Sequence, residues 1–387
     1  MKLEVMQRSE VRSDHAELVE ELSKEDLISE QEKLILKTTQ LSESKRERLE
    51  NQQYRLIGNH SGVKICYWCK KSIKGEADCY KNDFYGIPSH QCLEMSPAIT
   101  CNKRCKHCWR DTTVFSVGWV GPVDDPKDIV EGCINERVLL LNGFKGNPKA
   151  KKEKLDEMFI PKHAAISLTG EPMMYPKYSE LVKEFFKKGF TTVFGVTSGT
   201  VPETISKLKE TGVYPTNIYL SVEAWDKEMY KQLCIPVISD AWERFLQSAD
   251  ILRTIKTRTI MRITCMKGLN MHAPEKFAWL VEKMQPDVIE CKAYAWMGYS
   301  RKRMKQENSP SYDEVNKFAR ELMKAAGYEM ALSKEGSDVV MLRKPKDKKN
   351  RGRIGEDKFG KEEFFYDGLE KEKQRQEVYL KEIADKL

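Results

Sequence analysis

The sequence has no uninterrupted apolar run that approaches the roughly 18 residues of a membrane-spanning helix, so no contact with a membrane is expected. It also has no apolar segment after its charged start at residues 1–4. We therefore expect no secretory signal and a cytoplasmic location. Apolar residues are not scarce, because they make up 40% of the 387 residues, which excludes a wholly disordered chain.

The sequence also lacks a strong excess of either charge. Its 66 Lys and Arg stand against 59 Asp and Glu, a balance that an ordinary soluble enzyme can carry. The distribution is more informative, since residues 343–358 contain eight Lys or Arg and only three Asp or Glu. Such a block usually lies in solvent and often meets phosphate.

The eleven cysteines lack the even spread of a disulfide framework, because seven of them lie between Cys66 and Cys108. With no export signal expected, the compartment is expected to be reducing. Clustered thiols in a reducing compartment indicate metal or redox chemistry. We expect the other four to be buried core thiols: Cys133, Cys234, Cys265 and Cys291.

The most specific motif is the C-x3-C-x2-C run of Cys101, Cys105 and Cys108, which has no fourth cysteine beside it. Three such thiolates can hold three corners of a cubane iron–sulfur cluster and leave the fourth iron open to a ligand. Structural zinc sites take four protein ligands, so zinc stays an alternative only if a fourth ligand comes from elsewhere.

A second group of cysteines lies upstream. Cys66, Cys79 and Cys92 are separated by twelve residues each time, and Cys69 follows Cys66 closely. All four thiolates together suit a structural zinc site, which spacing alone slightly favours, whereas three of them suit a second open cluster. Lys81 near such thiolates is a candidate Schiff-base amine, although a solvated surface lysine is the simpler interpretation without further evidence.

From about residue 160 the pattern changes to short apolar runs that alternate with amphipathic segments, which predicts βα units around a parallel sheet. We predict an α/β fold, a partial (β/α)6 TIM-like barrel. The predicted strands are 164–168, 192–196, 217–222, 259–264, 288–291 and 339–342. The predicted helices are 178–188, 202–210, 226–233, 241–254, 274–283 and 312–326.

Chemistry in such barrels lies where the strands end. The predicted first strand, 164–168, leads into Gly170 and Glu171, which offer a backbone edge and a carboxylate to an ammonium group. The second leads into Thr197 and Ser198, whose small polar side chains suit hydroxyl or carboxylate contacts.

We divide the chain into four parts. Residues 1–53 form a charged helical extension, and residues 54–120 form the cysteine-rich segment. Residues 121–345 form the barrel, and residues 346–387 contain the basic stretch and a closing helix, roughly 369–386.

The chain resembles the tRNA 4-demethylwyosine synthases of the radical S-adenosylmethionine (SAM) superfamily. The likeness runs from about residue 54 to 345, and its cysteine spacings occur in the family's order. The segments that carry it are 66–72, 79–92, 101–110, 197–203, 286–294 and 298–301.

The resemblance implies an enzyme that condenses pyruvate with N1-methylguanosine beside the anticodon of phenylalanine tRNA. It implies two 4Fe-4S clusters, SAM as cofactor, and Lys81 as the residue that engages pyruvate. The first cluster would use Cys101, Cys105 and Cys108, and the second would use Cys66, Cys79 and Cys92. SAM would contact Gly170, Glu171, Thr197, Ser198 and His107. An open iron of the second cluster could instead chelate pyruvate.

The resemblance also implies partners. No flavodoxin-like domain is recognisable, so the chain is similar to the stand-alone archaeal members and needs a separate electron donor. We expect a monomer. Arg301, Lys302, Arg303, Lys305 and the 343–358 stretch are candidate phosphate contacts. Trp109 and Trp296 could stack on the extruded base, although core packing is the expectation for both.

Three positions depart from the family pattern: Cys69, Ser198 in place of Asn, and His107 in place of an aromatic residue. Two other functions therefore stay open. One is a different radical SAM enzyme, such as an activase that makes a glycyl radical. The other is a zinc-stapled RNA-binding protein.

Overall fold

A computed structural model describes residues 39–345 and 368–387. The helices expected within residues 1–38 and most of the basic stretch, at 346–367, lie outside the described residues. None of the helices within the described ranges is long and apolar enough to cross a membrane.

The core is a ten-stranded mixed sheet with the order β1-β2-β3-β4-β5-β6-β7-β8-β10-β9. Strands β3 to β8 are parallel, and an antiparallel pair flanks them on each side. The strands are β1 (Arg55–Ile57), β2 (Ser61–Lys64), β3 (Cys92–Ser96), β4 (His163–Ile166), β5 (Thr192–Thr197), β6 (Asn217–Val222), β7 (Arg258–Cys265), β8 (Val288–Ala293), β9 (Glu329–Lys334) and β10 (Val339–Arg343).

A helix follows each parallel strand, as the sequence pattern predicts. The helices of the described residues are α1 (Glu43–Asn51), α2 (Tyr67–Ile73), α3 (Tyr80–Tyr85), α4 (Pro126–Leu141), α5 (Lys152–Glu157), α6 (Tyr178–Lys187), α7 (Pro202–Thr211), α8 (Lys227–Cys234), α9 (Ala241–Leu252), α10 (Ala278–Met284), α11 (Tyr312–Ala326) and α12 (Leu369–Ile383). The six parallel strands confirm the predicted partial barrel.

The identity of two barrel strands was predicted wrongly. The first parallel strand is β3, within the cysteine-rich segment, and the predicted first strand is β4, the second. The run at 339–342 is β10, which pairs antiparallel with β8 and β9. Only residues 335–338 separate β9 from β10, which is too short for the crossover that a parallel strand requires.

Both faces of the sheet are buried, and each contacts its own apolar layer. One face packs on the helices through residues such as Ile218, Met261 and Ile289. The other face lines the lumen of the half-barrel through neighbouring residues of the same strands, such as Tyr219 and Ile260. Helix α3 inserts Tyr80, Phe84 and Tyr85 into this lumen layer. The alternation explains why the strands read as continuous apolar runs.

The C-terminal helix α12 packs against α3 and the start of β7. Glu372 pairs with Arg258, and only 3% of each side chain is exposed. Tyr379 donates a hydrogen bond to the Tyr214 carbonyl at 2.6 Å. The helix is therefore a docked part of the barrel.

We expect Glu372→Ala to destabilise the protein by about 3–5 kcal/mol, because it leaves the Arg258 guanidinium buried without its carboxylate. Glu377→Ala, on the exposed side of the same helix, is the matched control and should change stability by about 0.5 kcal/mol or less. Urea unfolding of the two variants measures the difference. Equal stabilities would show that α12 does not depend on the buried pair.

Candidate functional site

The polar residues singled out in the barrel gather at the carboxyl edge of the sheet. The loop with Cys101, Cys105 and Cys108 follows β3, and Gly170 and Glu171 follow β4. Thr197 ends β5, with Ser198 after it. Because parallel strands end at one edge, these residues share the mouth of the barrel.

Gly170 lets the cysteine loop approach β4 closely. Its φ is +72°, and a Cβ there would lie 2.1 Å from the Ala98 carbonyl oxygen and 2.5 Å from that of Thr100. The next residue, Glu171, donates its amide to the Thr100 carbonyl at 2.8 Å. No other residue type fits at position 170 without moving this loop.

The Glu171 carboxylate is buried and joins two strand ends. It accepts hydrogen bonds from the Thr197 hydroxyl at 2.8 Å and from the Ser198 amide at 2.6 Å. The Met173 amide donates to it at 3.1 Å. The structure therefore brings the predicted residues Glu171, Thr197 and Ser198 together, and Glu171 organises the end of β5.

The three thiols of the loop are half-buried, and burial raises the pKa of Cys101 and brings that of Cys108 to about 11. Arg303 fixes the loop backbone by donating to the carbonyls of Lys106 at 3.2 Å and Cys108 at 2.5 Å. The hydrogen bond with the Cys234 thiol instead lowers the pKa of Cys105. Cys101 and Cys108 are protonated near neutral pH, so binding a metal cluster there must release protons.

Polar groups missed by the sequence analysis lie beneath this loop. Glu223, directly after β6, has a carboxylate oxygen 3.7 Å from the Lys103 ammonium and one 3.5 Å from His107 Nε2. Burial lowers the pKa of His107. The position of Glu223 at a strand end was the available signal.

Several buried polar atoms here have no hydrogen-bond partner in the described part of the chain. They are Thr100 Oγ1, Lys103 Nζ, Arg104 Nη1 and His107 Nδ1. Unsatisfied donors around three thiols fit a bound polar group better than a closed structural core. The donor set thus suits an iron–sulfur cluster with a polar ligand on its open iron.

The upstream cysteines lie at the other end of β3. Cys92 is the first residue of that strand, while Cys101 follows its end, so the two sets are separated by roughly one strand length of about 13 Å. Cys66 and Cys79 precede the first turns of α2 and α3. Burial raises the pKa of all three thiols, that of Cys92 to about 12.

Among the described residues, no three or more His, Cys, Asp or Glu side chains are grouped as ligands of one metal ion. A tetrahedral zinc site needs its thiolates to converge on a single point. The Cys66 thiol has those of Cys69 and Cys92 as electrostatic neighbours, so both a structural zinc ion and a second cluster stay candidates for this group.

Lys81 lies in the lumen and not on the surface. Its ammonium is 4.8 Å from the centroid of the Phe194 ring and 5.9 Å from that of Tyr219. Both rings belong to the lumen layer, and Cys79 and Cys92 are its electrostatic neighbours. An amine in this position can meet a small carbonyl compound away from bulk water.

A buried ionic network lines the lumen beside Lys81. Arg262 Nε donates to Glu290 at 2.8 Å, and Glu290 also accepts from the hydroxyls of Tyr85 at 2.5 Å and Tyr219 at 3.0 Å. Burial, with the Arg262 charge, lowers the pKa of Lys292 to about 8. The lumen thus contains a second amine, which the sequence analysis did not single out.

Some of the expected phosphate contacts are exposed, and the others are buried or engaged with other groups of the protein. Arg301 and Lys302 are exposed beside the cysteine loop. Arg303 is committed to that loop, and Lys305 lies 3.4 Å from Glu307. At the start of the basic stretch, Arg343 pairs with Glu329 at 3.0 Å, and Lys344 is buried.

Trp296 is half-buried against a small apolar cluster and donates to the Met304 carbonyl at 2.9 Å, but the expectation of core packing for Trp109 was wrong. The Trp109 side chain is 42% exposed at the barrel mouth. The Arg110 guanidinium lies 3.4 Å from the centroid of its ring.

A parallel half-barrel with a three-cysteine loop after its first strand is the arrangement of radical SAM enzymes, and the Radical SAM superfamily model matches residues 95–280. A second model, wyosine base formation, matches residues 283–344. The chain is 47% identical over 294 residues to the S-adenosyl-L-methionine-dependent tRNA 4-demethylwyosine synthase of Pyrococcus abyssi (strain GE5 / Orsay), covering 75% of this chain and 86% of that one. It is 36% identical over 300 residues to the human protein of that name, covering 77% of this chain and 40% of that one. The chain therefore belongs to the tRNA 4-demethylwyosine synthase family.

The fold agrees with this assignment. A structure described as TYW1 with a lysine-pyruvate adduct bound matches with a TM-score of 0.70 and 32% identity, over 79% of this chain and 96% of that one. A crystal structure of archaeal TYW1 matches with a TM-score of 0.64 and 30% identity, over 78% and 96%. As a family member, the chain is a radical SAM enzyme that uses SAM and a 4Fe-4S cluster.

Proposed function

We propose that this chain forms 4-demethylwyosine in phenylalanine tRNA by condensing pyruvate with N1-methylguanosine. The observation that carries the proposal is the placement of Lys81 in the lumen, over the Phe194 and Tyr219 rings and beside the thiols of Cys79 and Cys92. A zinc-stapled RNA-binding protein does not require a lysine in this position. A glycyl-radical activase does not need a lysine there either.

Cys101, Cys105 and Cys108 would hold the cluster at the barrel mouth, and Cys66, Cys79 and Cys92 a second 4Fe-4S cluster. When bound, the first cluster and SAM supply a 5′-deoxyadenosyl radical that abstracts hydrogen from the N1-methyl group of the tRNA base. Gly170, Glu171, Thr197, Ser198 and His107 would shape the SAM site. Glu171 does so by fixing the Ser198 amide and the Thr197 hydroxyl.

Lys81 would hold pyruvate. Its neutral amine attacks the pyruvate carbonyl, and loss of water leaves a Schiff base tethered in the lumen. The tether converts the meeting of pyruvate and base into a reaction within one complex. The rings of Phe194 and Tyr219 lie beside the amine and give the tether an apolar wall. Chelation of pyruvate by an open iron of the second cluster is the alternative.

The experiment supplies reconstituted protein with a reductant, SAM, ¹³C-labelled pyruvate and phenylalanine tRNA that carries N1-methylguanosine. Mass spectrometry of the digested tRNA should show a tricyclic nucleoside that contains two pyruvate carbons. SAM cleavage without that nucleoside, on tRNA shown to carry the methyl group, would contradict the proposal and favour another radical SAM activity.

We place the tRNA against the barrel mouth. Arg301 and Lys302 are exposed there, and the exposed Trp109 ring offers a stacking surface for the extruded base. The further elements of the proposal are a cytoplasmic monomer and a separate protein as electron donor.

The double variant Arg301→Gln/Lys302→Gln should weaken tRNA binding and flatten its salt dependence. Each lost phosphate contact reduces the slope of log K against log salt by roughly 0.7–0.9. Lys317→Gln/Lys324→Gln, which removes two exposed charges from α11, is the matched control. Filter binding at several salt concentrations measures both. Equal slopes for the two double variants would place the tRNA elsewhere.

A further inference from the structure

Arg137 of α4 is a fully buried guanidinium beside the upstream cysteines. It donates to the carbonyl of His90 at 2.6 Å, to that of Cys92 at 3.2 Å, and to that of Met158. It also hydrogen-bonds the Cys69 thiol, and the thiols of Cys66 and Cys92 are its further electrostatic neighbours. The side chain thus holds the backbone around one upstream cysteine while its charge faces three of them.

The charge of Arg137 has no anion to balance it. Within residues 39–345 and 368–387, no carboxylate lies within ion-pair distance of this guanidinium, and its partners are neutral carbonyl oxygens and the Cys69 thiol. Lys103, the buried cation beside the other cysteine set, has the Glu223 carboxylate 3.7 Å away. Carbonyls solvate a guanidinium but do not neutralise it, and a buried unbalanced charge is unfavourable.

We infer that Arg137 is the counter-charge of the upstream 4Fe-4S cluster, and that it positions Cys92 and raises the reduction potential of that cluster. The inference rests on the second cluster of the proposed function. Three thiolates on a dicationic cubane leave the cluster net negative, and reduction adds a further electron. A fixed cation nearby therefore stabilises the reduced form more than the oxidised form.

The test uses full-length protein with Cys101→Ala, Cys105→Ala and Cys108→Ala, so that only the upstream cluster can form. In this background, Arg137→Gln should shift the midpoint potential, followed by electron paramagnetic resonance, to more negative values. Arg137→Lys keeps the charge and should stay close to the parent. Arg55→Gln on β1 is the control. It removes an exposed charge that lies 3.7 Å from Glu136 of α4, the helix that carries Arg137, and it should not shift the potential.

Three outcomes overturn the inference. If the background binds zinc or no iron, the second cluster is absent and that part of the proposed function falls with it. If iron is bound and Arg137→Gln leaves the potential unchanged, only the inference falls. If Arg137→Lys loses iron or folding as fully as Arg137→Gln, the carbonyl contacts and not the charge matter.

Stability provides a second measurement. Arg137→Met removes the charge and also the hydrogen bonds to three carbonyls, so the cluster-free variant should be less stable than its cluster-free parent. Loading the cluster should then raise the melting temperature of the parent more than that of the variant. Equal losses of stability in the free and loaded forms would indicate a structural clamp and contradict the inference.

Discussion

Replacing Lys81 by arginine is expected to lower 4-demethylwyosine formation by about 10³-fold or more, because a guanidinium cannot form a Schiff base with pyruvate. The charge and much of the length of the side chain remain, so iron content should match that of the parent. Labelled pyruvate trapped with cyanoborohydride should add its mass to a Lys81 peptide in the parent and to none in the variant.

Lys292 supplies the control for that experiment. Burial and the Arg262 charge lower the pKa of Lys292 to about 8, so a substantial neutral fraction is present at pH 8 and above. Its ammonium donates to the Ser337 carbonyl at 2.5 Å, so it is engaged in a backbone contact. Lys292→Arg should keep the trapped adduct. An adduct that disappears in Lys292→Arg and persists in Lys81→Arg would reverse the assignment.

Replacing Cys105 by alanine should abolish both SAM cleavage and product formation, because a cluster with two thiolates left is not retained at the barrel mouth. Iron should fall from about eight to about four per chain, since the upstream set is untouched. SAM cleavage, followed by chromatography of 5′-deoxyadenosine, separates this variant from Lys81→Arg, in which cleavage should persist.

Cys133→Ala is the matched control for Cys105→Ala. Cys133 is fully buried in the layer between sheet and helices and belongs to neither cysteine set. Its replacement should leave the iron content and SAM cleavage at parental levels. Residual SAM cleavage in Cys105→Ala above the level of a reaction without protein would contradict the role of the loop.

The elements with strong periodicity could be predicted from sequence. Helices α6, α7, α9 and α11 and strands β4 to β8 follow the predicted ranges closely, because strands buried on both faces read as apolar runs. The candidate site residues Gly170 and Ser198 follow from the rule that loops after parallel strands meet at one edge, and Cys101 follows from its spacing to Cys105 and Cys108.

What sequence reasoning missed depends on long-range contacts. Strand β3 alternates polar and apolar residues within a segment crowded with cysteines, so it lacked the apolar run that marks the other parallel strands. Arg137 reads as one more charged helix residue, yet its burial is set by carbonyls up to 47 positions away. Lys81 reads as a surface lysine, and only the insertion of α3 places it in the lumen.

Iron, sulfide and zinc per chain, in protein reconstituted without oxygen, test most directly whether two clusters flank the lumen. Two clusters require about eight irons per chain with matching sulfide and no zinc, and the same numbers are expected in Cys69→Ala. About four irons with one zinc, and loss of that zinc in Cys69→Ala, would assign the upstream cysteines to a structural site. That result would contradict the two-cluster account.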